Sequence, residues 1–412
     1  MFHLTRRLAG LVFFCAHLGA SAFAQSTTDA PLNAFLTRSA FDPEITLWAR
    51  ADSYAAHNLG VVHPGQTVEL NLFLKHFGIS FEGQSHVTYS VVLSSPDGTQ
   101  LQRGDDLTAL HQPMNATRTY MTAAEVAILR FEADYAPGVY QIRATVRDHV
   151  RDASVTVGAY IELEALDAVA SFATPVEFEH WLTHYYLDPT PGRALKGFLE
   201  SAQPMGDSTV RSWAQVIFFG EVFAHNRWLH PYLTAAFADG TPTQRQNIAF
   251  MLGLLQHRDA DLFSRFSSHE AELYHEARNL RLPDSTDAIH TPEALEMHWF
   301  RFYASGDMLA LQPIAQLLEY AEYEGTLRDL ADVADSLDDA QREAALKDVL
   351  FQSARWSLAG NCIEHPAVHR FCTYLADTGQ LSPAAKSVLV DLLRAVRQQL
   401  AAGNPPVSAT EG

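Results

Sequence analysis

The chain has 412 residues and sets 29 Lys and Arg against 48 Asp and Glu, a net charge of −19. So acidic a surface repels phosphate backbones and anionic headgroups, so nucleic acid and membrane surfaces are poor partners, and no stretch after the first 24 residues is long and apolar enough for membrane insertion. Three cysteines exclude a disulfide-dense scaffold and a Cys-rich zinc module, and the length suggests about two domains.

Residues 1–24 read as a cleavable signal peptide. Arg6 and Arg7 close a basic head, the apolar run Leu8 to Leu18 follows, and Ala22-Phe23-Ala24 places small residues where a signal peptidase reads. The run is too short to cross a bilayer. Cys15 follows Val12-Phe13-Phe14, where lipidation would need small residues. A soluble periplasmic or secreted protein is expected, with residues 25–40 as a polar lead-in.

Residues 41–165 predict an antiparallel β-sandwich of the immunoglobulin-like kind. Val68, Leu70 and Leu72 alternate with polar or outward positions, Val87 to Leu93 forms a second strand, and Ala127 to Phe131 a short one. Tyr140, Ile142, Ala144 and Val146 alternate again, and Ser154 to Glu162 closes the set. Ser95-Pro96-Asp97-Gly98 and Ala136-Pro137-Gly138 supply turns. The run Asp134 to Tyr140 resembles the corner before the penultimate strand of immunoglobulin-like and fibronectin-like domains. That resemblance implies an inward Tyr140 whose hydroxyl bonds the backbone.

Residues 170–402 predict an irregular all-α array, with a solenoid-like arrangement as the alternative, and 403–412 a disordered tail. Thr174-Pro175-Val176-Glu177 and Thr241-Pro242-Thr243-Gln244 read as capping boxes, and Thr291-Pro292 and Ser382-Pro383 as helix starts. Leu295, Trp299, Phe302 and Tyr303 form one stripe ended by Gly306, and Leu389, Leu392, Leu393 and Val396 another. The acidic run Asp329 to Asp339 reads as a solvated amphipathic helix. Asn226, Asn361 and Asp307 read as caps.

Three stretches, Phe219 to Trp228 (FGEVFAHNRW), Leu295 to Asp307 (LEMHWFRFYASGD) and Ala354 to Val368 (ARWSLAGNCIEHPAV), together carry a resemblance. They are similar to a family of uncharacterised bacterial exported proteins with F-x-x-x-F-x-x-N, W-x-x-F/Y-A-T-G-D and W-S-L-x-x-N-x-x-x-H-P segments in that order. Ser305 and Cys362 depart from the pattern. The resemblance implies an all-helical domain and carries no catalytic residue.

Nineteen histidines raise a metal question. Glu177, His180 and His184 share one helix face, but the apolar stripe of that helix points elsewhere, so they read as solvated side chains before metal ligands. Two E-x-x-H strings, Glu177 to His180 and Glu272 to His275, lack the further inward glutamates of a di-iron bundle. No H-E-x-x-H, G-x-S-x-G or phosphate-loop motif occurs, so no catalytic residue and no cofactor is assigned. Aromatic stripes leave His225, Trp228, His298, Trp299 and Trp356 as candidate ligand contacts. Cys362 and Cys372 read as two buried thiols before a disulfide. The leading expectation is a non-enzymatic interaction module that meets another envelope protein. The alternatives are an enzyme of unrecognised type with a site in a groove, and a carbohydrate or peptide binder.

Overall fold

The computed structural model describes residues 40–49, 59–114, 120–200, 213–330 and 337–403. The expected signal peptide with Cys15, residues 25–39 of the lead-in, the centre of the acidic run (331–336) and the tail from 404 lie outside them.

The first part is a sandwich of nine strands among these residues: β1 (Asp42–Ala49), β2 (Val61–Val62), β3 (Thr67–Lys75), β4 (Gln84–Ser94), β5 (Gln100–Pro113), β6 (Tyr120–Thr122), β7 (Ala127–Arg130), β8 (Gly138–Asp148) and β9 (Ala153–Leu163). In one sheet β3 pairs with β1, β6 and β7; the other has the order β2-β9-β8-β4-β5. Every pairing is antiparallel except β2 with β9. The expected alternation sets the inner faces. Val68, Leu70, Leu72 and Leu74 on β3 are buried with Val87, Tyr89, Val91 and Leu93 on β4 and Tyr140, Ile142, Ala144 and Val146 on β8. Each large apolar side chain so buried stabilises by roughly 1.5–3 kcal/mol before chain entropy is subtracted. The Tyr140 hydroxyl donates to the Ala136 carbonyl at 2.7 Å, the corner expected of an immunoglobulin-like domain.

One buried charge ties two turns together. The Asp148 carboxylate accepts from the backbone N–H groups of Gly78 (2.6 Å), Val150 (3.0 Å) and Arg151 (3.1 Å). Three donors satisfy a carboxylate that burial alone would penalise.

The helical part follows as α1 (Pro175–His184), α2 (Pro191–Glu200), α3 (Trp213–His225), α4 (His230–Asp239), α5 (Pro242–Leu254), α6 (Ala260–Phe263), α7 (Ser268–Asn279), α8 (Pro292–Ser305), α9 (Leu311–Gln316), α10 (Thr326–Asp329), α11 (Asp339–Glu364), α12 (Pro366–Thr378) and α13 (Pro383–Ala401). Thr174, Thr241, Thr291 and Ser382 all accept at their N-termini, and Gly306 ends α8 at φ 74°. The Thr241 box is reciprocal through Gln244. The Thr174 box is not: Glu177 reaches past it to the Ala173 N–H at 2.8 Å and pairs with Arg193. Asn361 is no cap either, because α11 continues three residues beyond it. It lies inside the helix and accepts from the Tyr303 hydroxyl at 2.6 Å.

The helical core is rich in phenylalanine, with Phe218, Phe219, Phe223, Phe237, Phe250, Phe302 and Phe351 fully buried. Close approach of α5 to α7 is possible because residue 253 is glycine: a Cβ there would stand 2.3 Å from the Tyr274 carbonyl oxygen. Among the described residues no helix is long and apolar enough to cross a membrane.

The two parts meet where the chain leaves β2. The His63 ring stacks on Trp228 with centroids 5.6 Å apart, and its Nδ1 lies 3.0 Å from the Glu164 carbonyl. The Tyr232 hydroxyl donates to the Pro64 carbonyl at 2.8 Å. Gly192 on α2 leaves the space that the ring occupies.

Candidate functional site

Among the described residues a cleft of about 760 Å³ opens where α3 meets the end of α5 and the segment after α7. That volume suits a small organic molecule. Ile217 and Ala224 of α3, Leu254 and Leu255 at the end of α5, and Leu280 and Leu282 supply its apolar wall. Arg227, His230, His257 and Arg258 supply its polar wall.

The charges on this wall are not balanced by the wall itself. Among the described residues neither Arg227 nor Arg258 has an ion-pair partner. The carboxylate in the cleft, Glu221, is already held by Arg301 at 2.7 Å and lies 3.8 Å from His225 Nδ1. The cleft is therefore locally cationic within an acidic protein. His230 registers this field. Burial holds its imidazole below the ordinary value; the hydrogen bond to the Phe223 carbonyl opposes that shift, and nearby His257 and Arg227 deepen it. The His230 and His257 rings meet edge to face at 5.5 Å.

Local folding places these groups. Asn226 ends α3, its side chain bonding back to the Val222 carbonyl and accepting from the Trp228 indole, and the turn Arg227–Leu229 follows. Trp228 faces the sandwich while its neighbour Arg227 faces the cleft, so the domain joint braces one wall of the site. Across the cleft, α5 ends in a turn in which the His257 N–H reaches the Leu252 carbonyl and the Gln256 N–H reaches Gly253. Gln256 itself has φ 52°, a conformation that favours glycine. Holding a non-glycine residue there costs on the order of 1 kcal/mol, and what is retained is an amide side chain in the cleft wall.

The five aromatic and histidine candidates do not converge. His225 and Trp228 flank this cleft, the latter turned to the joint. His298 and Trp299 are buried in the core, His298 bonded to the Ala310 carbonyl at 3.2 Å. Trp356 stands 70% exposed on α11. His180 and His184 remain side by side, ring centroids 4.1 Å apart, whereas Glu177 is occupied by Ala173 and Arg193. Glu364, from the end of α11, stands beside the two histidines in its place. Arg227, His230, His257, Arg258 and Glu364 carried no sequence motif. A second histidine group lies on the outside of the sandwich, where His86 of β4 stacks on His149, just after β8, and meets His111 of β5 edge to face.

No family model and no curated protein matches the chain. Among solved structures it is similar to a family 123 glycoside hydrolase from Clostridium perfringens, over 30% of this chain and 27% of that one, at 11% identity and a TM-score of 0.21. The chain thus spans about a quarter of that hydrolase. An immunoglobulin-like protein from Pseudomonas aeruginosa aligns over 30% of this chain and 94% of its own at 14% identity and a TM-score of 0.19. The C-terminal domain of wzt aligns over 34% and 86% at 12% identity and 0.18. Scores this low transfer no activity, and the fold described above stands on its own strand pairing and helix packing.

Proposed function

We propose that this is an exported binding protein whose helical domain takes up a small organic anion in the α3–α5 cleft. The observation that carries the reading is the pair of guanidinium groups, Arg227 and Arg258, with no acidic partner among the described residues, on one cleft of a chain with net charge −19. A carboxylate or phosphate would bind them through charge-assisted hydrogen bonds. The apolar body of such a ligand would lie against Ile217, Leu254 and Leu280. Binding favours this cleft over the open aromatic groove of a carbohydrate binder, because its aromatic candidates point to the core, the joint and the solvent. The sandwich serves as the brace that holds the Arg227 turn.

A thermal-shift series tests this, with inorganic phosphate, sulfate, succinate, citrate and a short fatty acid as probes. Saturating ligand at a hundred times its dissociation constant stabilises by about 2.7 kcal/mol, a shift of a few degrees for a protein of this size. The shift is expected with at least one organic anion and not in the R227A/R258A variant. Equal shifts in both proteins, or none with any anion, would remove the reading.

A second reading, docking of the sandwich on another envelope protein, is favoured by one observation. Phe81 is fully exposed at the turn between β3 and β4. Loss of capture of a periplasmic partner on F81S would support it.

A further inference from the structure

We infer that His180, His184 and Glu364 form a binding site for one divalent transition-metal ion, of the zinc, cobalt or nickel class. One ligand atom from each lies within 4.8 Å of the others. His184 Nε2 is already 3.7 Å from Glu364 Oε1. Ligand atoms around a tetrahedral zinc stand roughly 3.3 Å apart, from metal–ligand distances near 2.0–2.1 Å. Small rotations of partly exposed side chains close the difference.

The state of the histidine is set by its own helix. His184 Nδ1 lies 2.9 Å from the His180 carbonyl oxygen, which can only accept. In the tautomer that serves this contact the proton sits on Nδ1, and the Nε2 lone pair is the one presented beside Glu364. A metal-ligating imidazole is usually oriented in this way by its other nitrogen. His180 and His184 are one turn apart, the spacing at which two imidazoles of a helix share an ion.

Two further features are independent of these ligands. The first is His365, with no solvent exposure, its ring 4.7 Å from that of His184. Its Nδ1 lies 3.3 Å from the Tyr186 hydroxyl, while its Nε2 has no hydrogen-bond partner among the described residues. An unpaired polar atom so deeply buried is uncommon in a folded protein, and here it adjoins the cluster. The second is the backbone field. Glu364 is the last residue of α11, a helix of 26 residues, and His184 is the last of α1. A carboxylate at a helix C-terminus meets the negative end of the macrodipole, which is the wrong end for it. A divalent cation between the two helix ends offsets both that repulsion and the carboxylate charge.

The donor set defines the class of metal. Two imidazoles and one carboxylate suit zinc, cobalt and nickel, whereas calcium and magnesium require shells made of oxygen. Three protein ligands leave a fourth position for water or for a donor from another molecule. This site is separate in its residues from the anion cleft and does not depend on it.

Cobalt titration of the full chain, purified without a histidine tag and stripped with chelator, provides the test. One equivalent of Co2+ is expected to raise visible d–d absorption, and one equivalent of Zn2+ to abolish it. Affinity is expected to fall at least a hundredfold in H180A/H184A and about tenfold in E364Q, with circular dichroism unchanged in all three proteins. No saturable cobalt signal in the wild type at 100 μM, or an undiminished signal in H180A/H184A, would overturn the assignment.

Discussion

The imidazole of His63 and the indole of Trp228 stack with their planes 21° from parallel, and this pair joins the sandwich to the turn that carries Arg227. The joint is small. Among the described residues it includes this stack, the Tyr232–Pro64 hydrogen bond and the packing of α2 beneath the His63 ring. Trp228→Ala removes the stack and the indole donor to Asn226 together. It is expected to cost about 1–3 kcal/mol and to separate the unfolding of the two parts in calorimetry. A single unshifted transition would show that the stack contributes nothing to coupling.

Glycine-to-alanine changes inside helices ordinarily stabilise, by up to about 1 kcal/mol. Two positions here reverse that sign. An added Cβ at Gly192 would meet His63 Nε2 at 2.7 Å, and one at Gly253 would meet the Tyr274 carbonyl at 2.3 Å. Gly253→Ala must push α5 away from α7 and is expected to destabilise by about 1–3 kcal/mol. Gly360, which has open space around it, is the control and gains stability as alanine. Urea unfolding of the three variants checks the order.

Stability is expected to fall on mild acidification. His63, His230 and His298 are each held below the ordinary imidazole value, by burial first in every case. Between those lowered values and about 6.5 the unfolded chain binds more protons than the folded one, so unfolding is favoured as pH falls through that window. The loss is complete once pH drops below the folded-state values. Urea midpoints measured at pH 8.0, 6.5 and 5.5 should descend in that order. A midpoint that rises towards pH 5.5 would contradict the burial of neutral imidazoles.

Cys362 and Cys372 are buried free thiols that face each other from α11 and α12. Hydrogen bonding to Cys362, and then burial, raise the Cys372 thiol well above its usual value. A protonated, enclosed thiol is a poor nucleophile. Native protein is expected to resist maleimide labelling for hours, and unreduced denatured protein to take up label at both positions. Rapid native labelling would contradict the enclosure, and no labelling in denaturant would show a disulfide.

Alternation and capping were legible because they are local. Val68 to Leu74 and Tyr140 to Val146 state their inner face directly, and Thr241 with Gln244 states a helix start within four residues. Strand β5 was not legible, since its pairing with β4 shifts register at three places and Asp106 takes φ 53°. Strand β1 went unread because Pro43 stands near its start, although Ile45 and Leu47 alternate with Glu44 and Thr46 as a strand does. The sites were harder still. Glu177 stood at the right spacing on α1 to join His180 and His184, yet the helix start claimed it for Ala173 and Arg193. Its replacement, Glu364, comes from the end of α11, about 180 residues along the chain from His180 and His184, and only packing brings it there. The cleft was equally hidden, because Arg227 and Arg258 lie on separate turns with no motif between them.

The most direct measurement is calorimetric titration of the full chain with whichever organic anion gives the largest thermal shift, against R227A/R258A at two salt concentrations. One molecule should bind per chain, with affinity falling as salt rises and at least thirtyfold weaker in the double variant. Unchanged affinity in R227A/R258A, or binding indifferent to salt, would contradict a cationic cleft as the functional site.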